Sequence, residues 1–107
     1  MQQISAERLA SWLRDPSRSQ PLLLDVREPD EFTLCHLPGS LHIPMQDITR
    51  RLNDIDDGRP LVAICHHGLR SLQVALYLEH AGFTDLYNLQ GGLDAWALAI
   101  DPSMPRY

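Results

Sequence analysis

The sequence predicts an α/β fold with a central, mainly parallel sheet and helices on both faces. Short uninterrupted apolar runs, "LLLDV" at 22–26 and "LVAIC" at 61–65, read as strands buried on both sides. Helix-period segments alternate with these runs, the order that builds parallel βαβ units. The 107 residues are enough for one domain and too few for two, and 44% hydrophobic content suits an aliphatic core. The expectation is a single domain over residues 1–107, its core spanning 4–99 and residues 100–107 forming a flexible tail.

Ser5 is placed to cap a short amphipathic helix carrying Leu9, Trp12 and Leu13. A polar turn, "DPSRSQP", leads into the first buried strand. "REPDEF" starts a helical turn, with Pro29 near its first position and acids where the helix dipole favours them. Residues 35–44 are irregular around a Pro38-Gly39 turn, residues 45–52 read as a helix, and "NDIDDGRP" reads as a loop. After the strand at 61–65, residues 71–81 form a helix with Leu72, Ala75, Leu76 and Leu78 on adjoining faces and Gly82 as its C-terminal stop. "DLYNL" is a third main strand, and "GGLDAWALA" a last helix behind a double glycine. Trp12 and Trp96 read as core aromatics.

Nine basic residues against fourteen acidic give a net charge of −5, which excludes nucleic acid and anionic membrane as expected partners. All nine basic residues are arginine, so no Schiff-base or phosphate-loop lysine is available. No apolar run nears the ~20 residues that span a bilayer. The opening "MQQISAERLA" lacks the basic start and apolar stretch of a signal peptide. With only two cysteines, Cys35 and Cys65, a cytoplasmic protein with free thiols is expected.

The stretch "AICHHGLRSL" concentrates chemistry. Cys65 stands at the carboxyl end of a strand, where open α/β sheets gather ligands. The helix that follows turns its free amides and positive dipole end toward the loop, and Arg70 adds a permanent cation. Gly68 permits the curvature that points the amides of His66, His67, Gly68, Leu69, Arg70 and Ser71 inward as an anion nest, and the Ser71 hydroxyl is one more donor. Such a loop suits a thiolate, the reactive form of cysteine. Read from these residues alone, an inert buried cysteine in an ordinary strand–helix turn stays open beside this reading.

"CHHGLRS" resembles the active-site loop of the rhodanese family, Cys-x-x-Gly-x-Arg-Ser. Three further segments resemble the family in its order: "LLLDVREPDEF", "HLPGSLHIP" and "AGFTDLYNLQGGLDAW". Together they cover most of residues 22–97. The resemblance implies a rhodanese-like fold and a thiosulfate sulfurtransferase that works through a persulfide on Cys65, with no cofactor and no metal. The donor would be thiosulfate or another sulfane-sulfur compound, and the acceptor cyanide, a thiol or a thioredoxin-like protein. Cys65 is then the nucleophile, and His66, His67, Gly68, Leu69, Arg70 and Ser71 bind substrate, mostly through backbone amides. Asp25 and Arg27 match family positions read as structural support.

Loop length separates this reading from phosphatases and arsenate reductases: four residues lie between Cys65 and Arg70, where those enzymes have five. A sulfur-carrier or interaction module loaded by protein partners shares the same persulfide and stays open. His66 and His67 read as solvent-facing loop residues at the pocket mouth, since neighbours in one tight turn do not converge on a metal or form a dyad with Cys65. His36, His42 and His80 read as surface or turn residues. Cys35 reads either as a small residue in a half-buried turn or as a redox partner of Cys65. A single domain with so short a loop is expected to leave Cys65 accessible.

Overall fold

The computed structural model describes all 107 residues. Five strands, β1 (Gln2–Ile4), β2 (Leu22–Asp25), β3 (Leu41–His42), β4 (Leu61–Ile64) and β5 (Leu86–Leu89), form one sheet in the order β1-β5-β4-β2-β3. Every pairing is parallel. The helices are α1 (Ala6–Leu13), α2 (Pro29–Leu34), α3 (Leu69–His80) and α4 (Gly92–Ala99). The α/β class with a parallel sheet is therefore as the apolar runs predict.

The two faces of the sheet carry separate cores. One gathers Ile4, Leu9, Trp12, Leu23, Val62, Ile64, Leu89, Leu93 and Trp96, where α1 and α4 pack together. The other gathers Leu24, Val26, Ile43, Leu61, Ala63, Val74 and Leu78 beneath α3. Along β4 the side chains alternate strictly between the two, because successive residues of a strand point to opposite faces. Cys65 continues the parity of Leu61 and Ala63 and so emerges on the α3 side.

Three local expectations are corrected. Residues 45–52 are not one α-helix but fall in two 3₁₀ segments, Met45–Asp47 and Thr49–Asp54, the second broken at Arg51 (φ −118°, ψ 23°). The helical spacing of Ile48, Leu52 and Ile55 is real and all three pack on the α3-side core, but the non-helical backbone at Arg51 interrupts the ladder that a continuous α-helix needs. The helix expected from residue 71 begins at Leu69, directly after Gly68 in the left-handed region at φ +96°. Strands β1 and β3 are additional; with one buried residue in β1 and two residues in β3, neither carries an apolar run.

The segment read as a flexible tail is seated on the domain. Arg106 bonds Asp94 at 2.8 Å and the Tyr107 hydroxyl receives a hydrogen bond from Arg27 Nη1 at 2.9 Å. Met104 packs against the α1/α4 core. No helix is long and apolar enough to cross a membrane.

Candidate active site

Cys65 leaves β4 at the centre of the sheet and its Sγ is held in a ring of donors. The amide of Gly68 lies 3.1 Å away, that of Ser71 3.3 Å and the Ser71 hydroxyl 3.2 Å. Two of the three are orphan amides near the start of α3, aimed at the sulfur by the turn at Gly68. A Cβ on Gly68 would stand 3.1 Å from Gly91 N and 3.2 Å from Leu89 O, so the loop needs glycine for space as well as for its backbone angle.

The carbonyl side of the loop is fixed from the other core. The amides of Leu93 and Asp94, in the first turn of α4, donate to Cys65 O at 2.9 Å and His66 O at 3.0 Å. The double glycine serves this contact. Gly92 sits at φ +62°, and a Cβ there would lie within 2.5 Å of Cys65 O. Two helix N-termini thus grip the loop from opposite sides, α3 at the sulfur and α4 at the carbonyls.

Arg70 turns outward to Glu31 on α2 and forms a two-pronged ion pair, Nη1–Oε1 2.7 Å and Nη2–Oε2 3.0 Å. Glu31 also accepts from the Glu28 amide at 3.0 Å and from the Tyr107 hydroxyl at 2.7 Å. The Arg70 guanidinium above all, then these two donors, overcome burial and hold the Glu31 carboxyl down to about 2. Arg70 is raised in turn, first by Glu31 and to a lesser degree by the charge of Cys65.

Behind this pair Arg27 is fully buried. Burial disfavours its charge, but Asp25 outweighs that and keeps it above its ordinary value: Nε–Oδ1 is 2.9 Å and Nη2–Oδ2 2.7 Å. Its remaining hydrogens reach Glu31 O, Cys35 O and Tyr107 Oη. Satisfying every donor is what makes a buried guanidinium tolerable. The Arg27 carbonyl meets His42 Nε2 at 2.7 Å, and Phe32 stacks on both His42 and His36. His36 and His42 are therefore braces of α2 and the β2 end.

Two expectations about the loop change here. His66 is not solvent-facing: it is 8% exposed and stacks under Tyr107 with ring centroids 3.9 Å apart. Neither of its ring nitrogens has a partner, and burial, helped by neighbouring His67, pushes its pKa below the usual histidine value. His67 is the exposed member of the pair and lies 4.0 Å from Asp94. Cys65 is not accessible either, at 1% exposure, because the loop wraps the sulfur. Above it opens a cavity of about 220 Å³ lined by Cys65, His66, His67, Leu69 and Arg70. A larger cleft of about 330 Å³ lies along β1 and α1 and contains no nucleophilic thiol.

Among the candidate residues, the structure brings Cys65, Gly68 and Ser71 into one contact set, and Asp25 and Arg27 into the support behind it. Cys35 and Cys65 are both free, and Cys35 faces Arg27 and Pro105 O. No three metal-ligating side chains come together. Glu31, Asn88, Gly92 and Tyr107 are not among the site residues read from the sequence; the first three lie inside the segments that resemble the family, and Tyr107 lies outside them.

Residues 5–99 match the model of the rhodanese-like domain. The chain belongs to that family. It is 39% identical over 112 residues to rhodanese-like/PpiC domain-containing protein 12 of Arabidopsis thaliana, a chloroplastic protein; the match covers 97% of the chain but 36% of that protein. A thiosulfate sulfurtransferase, GlpE, of Pseudomonas syringae is 39% identical over 75 residues, 70% of the chain and 71% of the relative. The crystal structure of a rhodanese-like domain protein from Staphylococcus aureus superposes with a TM-score of 0.82 at 31% identity, covering 90% of this chain and 91% of that one. The rhodanese fold is thus shared over nearly the whole domain.

Proposed function

We propose that the protein is a thiosulfate-type sulfurtransferase that moves a sulfane sulfur to a thiophilic acceptor through a persulfide on Cys65. The observation that carries this reading is the convergence of three donors on Cys65 Sγ at the floor of a small cavity.

In the first half-reaction the Cys65 thiolate attacks the outer sulfur of thiosulfate. The S–S bond to the sulfonate breaks, its electron pair leaves with sulfite, and Cys65 becomes a persulfide. In the second, cyanide or a thiolate attacks the outer persulfide sulfur, takes it as thiocyanate or a new persulfide, and restores the Cys65 thiolate. Dividing one transfer into two is covalent catalysis. Sulfite needs no protonation to leave, so the step asks for no general acid. The amides of His66, His67, Gly68, Leu69, Arg70 and Ser71 would hold the charged outer sulfur, and electrostatic preorganisation of that kind is the main resource of such a site. Asp25, Arg27 and Glu31 act behind the loop, holding its shape.

A sulfur-carrier role, with a protein as donor or acceptor, draws on Leu69, an apolar side chain 71% exposed at the rim of the cavity. A protein thiol or a thioredoxin-like surface would meet it first.

The test is an intact mass after incubation with thiosulfate, beside Cys65→Ala, followed by cyanide. Gain of one sulfur atom in the wild type alone, discharged as thiocyanate, supports the enzyme. No gain removes thiosulfate as donor and moves the carrier reading ahead.

A further inference from the structure

The Ser71 hydroxyl stands between two claimants. Its Oγ is 3.2 Å from Cys65 Sγ and in a short hydrogen bond with Asn88 Oδ1. One hydroxyl has one hydrogen, so it donates to only one of them at a time. The Asn88 amide is not free to turn over. Its Nδ2 donates to Gln3 Oε1 at 2.9 Å and to Gly68 O at 3.1 Å, and a flip would set its oxygen against the fixed Gly68 carbonyl. Asn88 and Ser71 are both buried, so water does not substitute for a lost partner.

The two charge states of Cys65 therefore demand different hydroxyl orientations. With a thiol, S–H donates to Oγ while O–H donates to Asn88, and every group is satisfied. With a thiolate, the sulfur offers no hydrogen and Oγ turns its own toward the charge. The Asn88 oxygen then loses its donor in a buried place, a state that costs free energy. The amides of Gly68 and Ser71 favour the anion; Asn88 opposes it.

We propose that Asn88 is a positioning residue that holds the Ser71 hydroxyl as a hydrogen-bond acceptor toward the Cys65 thiol, so that ionisation of Cys65 requires the hydroxyl to turn over. The proposal rests on the reading of Cys65 as the reacting group, and not on the identity of donor or acceptor. The other titratable groups around the loop are Arg70, Glu31 on α2, His66 and His67, Asp94 on α4, and Tyr107; all are unchanged in the variants below.

The experiment is the pH profile of iodoacetamide alkylation of Cys65, with the stability of each variant checked by melting. In Asn88→Ala the hydroxyl is released to the sulfur, and the midpoint moves to lower pH by roughly 0.5–1 unit. In a Ser71→Ala background the same substitution produces no such fall. A bracing role alone, through Gly68 O, predicts the reverse: a looser loop, poorer donors and a midpoint moved to higher pH. An unchanged or raised midpoint, or a fall that persists without Ser71, overturns the proposal. If Asn88→Ala does not fold, Gln3→Ala removes one anchor of the amide from an exposed position, and a smaller fall is expected; no fall overturns the proposal. Alkylation needs no sulfur donor, so failure of sulfur transfer with a normal profile counts against the proposed function and leaves this inference standing.

Discussion

Arg70 and Glu31 meet as a parallel two-pronged pair, 2.7 and 3.0 Å, that ties the loop after β4 to the helix after β2. The cation adjoining the candidate nucleophile is thus already neutralised by a protein carboxylate. In that pairing it ties the loop to α2.

Glu31→Gln keeps the length of the side chain and removes the charge. Urea denaturation should show a loss of about 1–2 kcal/mol, the scale of a charge-assisted pair in a half-buried site. Sulfur transfer should fall by about tenfold, because small errors of position are expensive in catalysis. A variant as stable and as active as wild type would mean that the pair does not shape the loop.

Gly92→Ala tests the grip of α4. The added methyl collides with the carbonyls of Cys65 and His66 at a positive backbone angle, so a loss of about 2–4 kcal/mol is expected. Thermal melting measures it. Gly82→Ala, equally left-handed at φ +104° but with open space around it, should lose much less, and the difference isolates the collision.

Acid should weaken the fold in two stages. Glu31 is held below its unfolded value, so its contribution is full above about pH 4.5 and is lost as pH falls toward 2. His66 is also lowered, because burial favours its neutral form; its contribution is full above about pH 6.5 and declines as pH falls from there. Urea midpoints from pH 8 to 3 should stay level above 7 and then drop twice. His66→Gln should erase the upper drop, and Glu31→Gln should shrink the lower one, to which Asp15 and Asp94, both held below the usual carboxylate range by their hydrogen bonds, also contribute.

Tyr107 shields His66. Its hydroxyl is raised to about 12, chiefly by burial, so it stays protonated and keeps donating to Glu31 throughout that range. Diethylpyrocarbonate should modify exposed His67 readily and His66 slowly; in Tyr107→Ala, His66 should react at least several-fold faster. Equal rates before and after would mean that the stacking does not persist in solution.

The sequence made the centre of the molecule legible and its periphery obscure. The strands at 22–26 and 61–65 announce themselves because both of their faces are buried, and Cys65, Gly68 and Ser71 lie within one short run. The cradle's donors were expected because Gly68 and a following helix imply them. What closes the site comes from far away: Glu31 from α2, Gly92 from α4, Tyr107 from the last residues. Their roles depend on which elements the topology brings together, and no local pattern encodes that. His66 and His67 show the limit most plainly, being adjacent and identical yet differing in burial because Tyr107 covers only one of them.

The edge position of β1 bears on how the molecule is built in time. Gln2, Gln3 and Ile4 pair with Tyr87, Asn88 and Leu89, so an early-synthesised strand waits for a late one. Contacts this distant along the chain make folding slow, and until β5 arrives the apolar Ile4 has no sheet to join. Docking of β1 also delivers Gln3 to the amide of Asn88. Until that outermost strand docks, a chain that already holds Cys65, Ser71 and Asn88 lacks the bond by which Gln3 fixes the Asn88 amide.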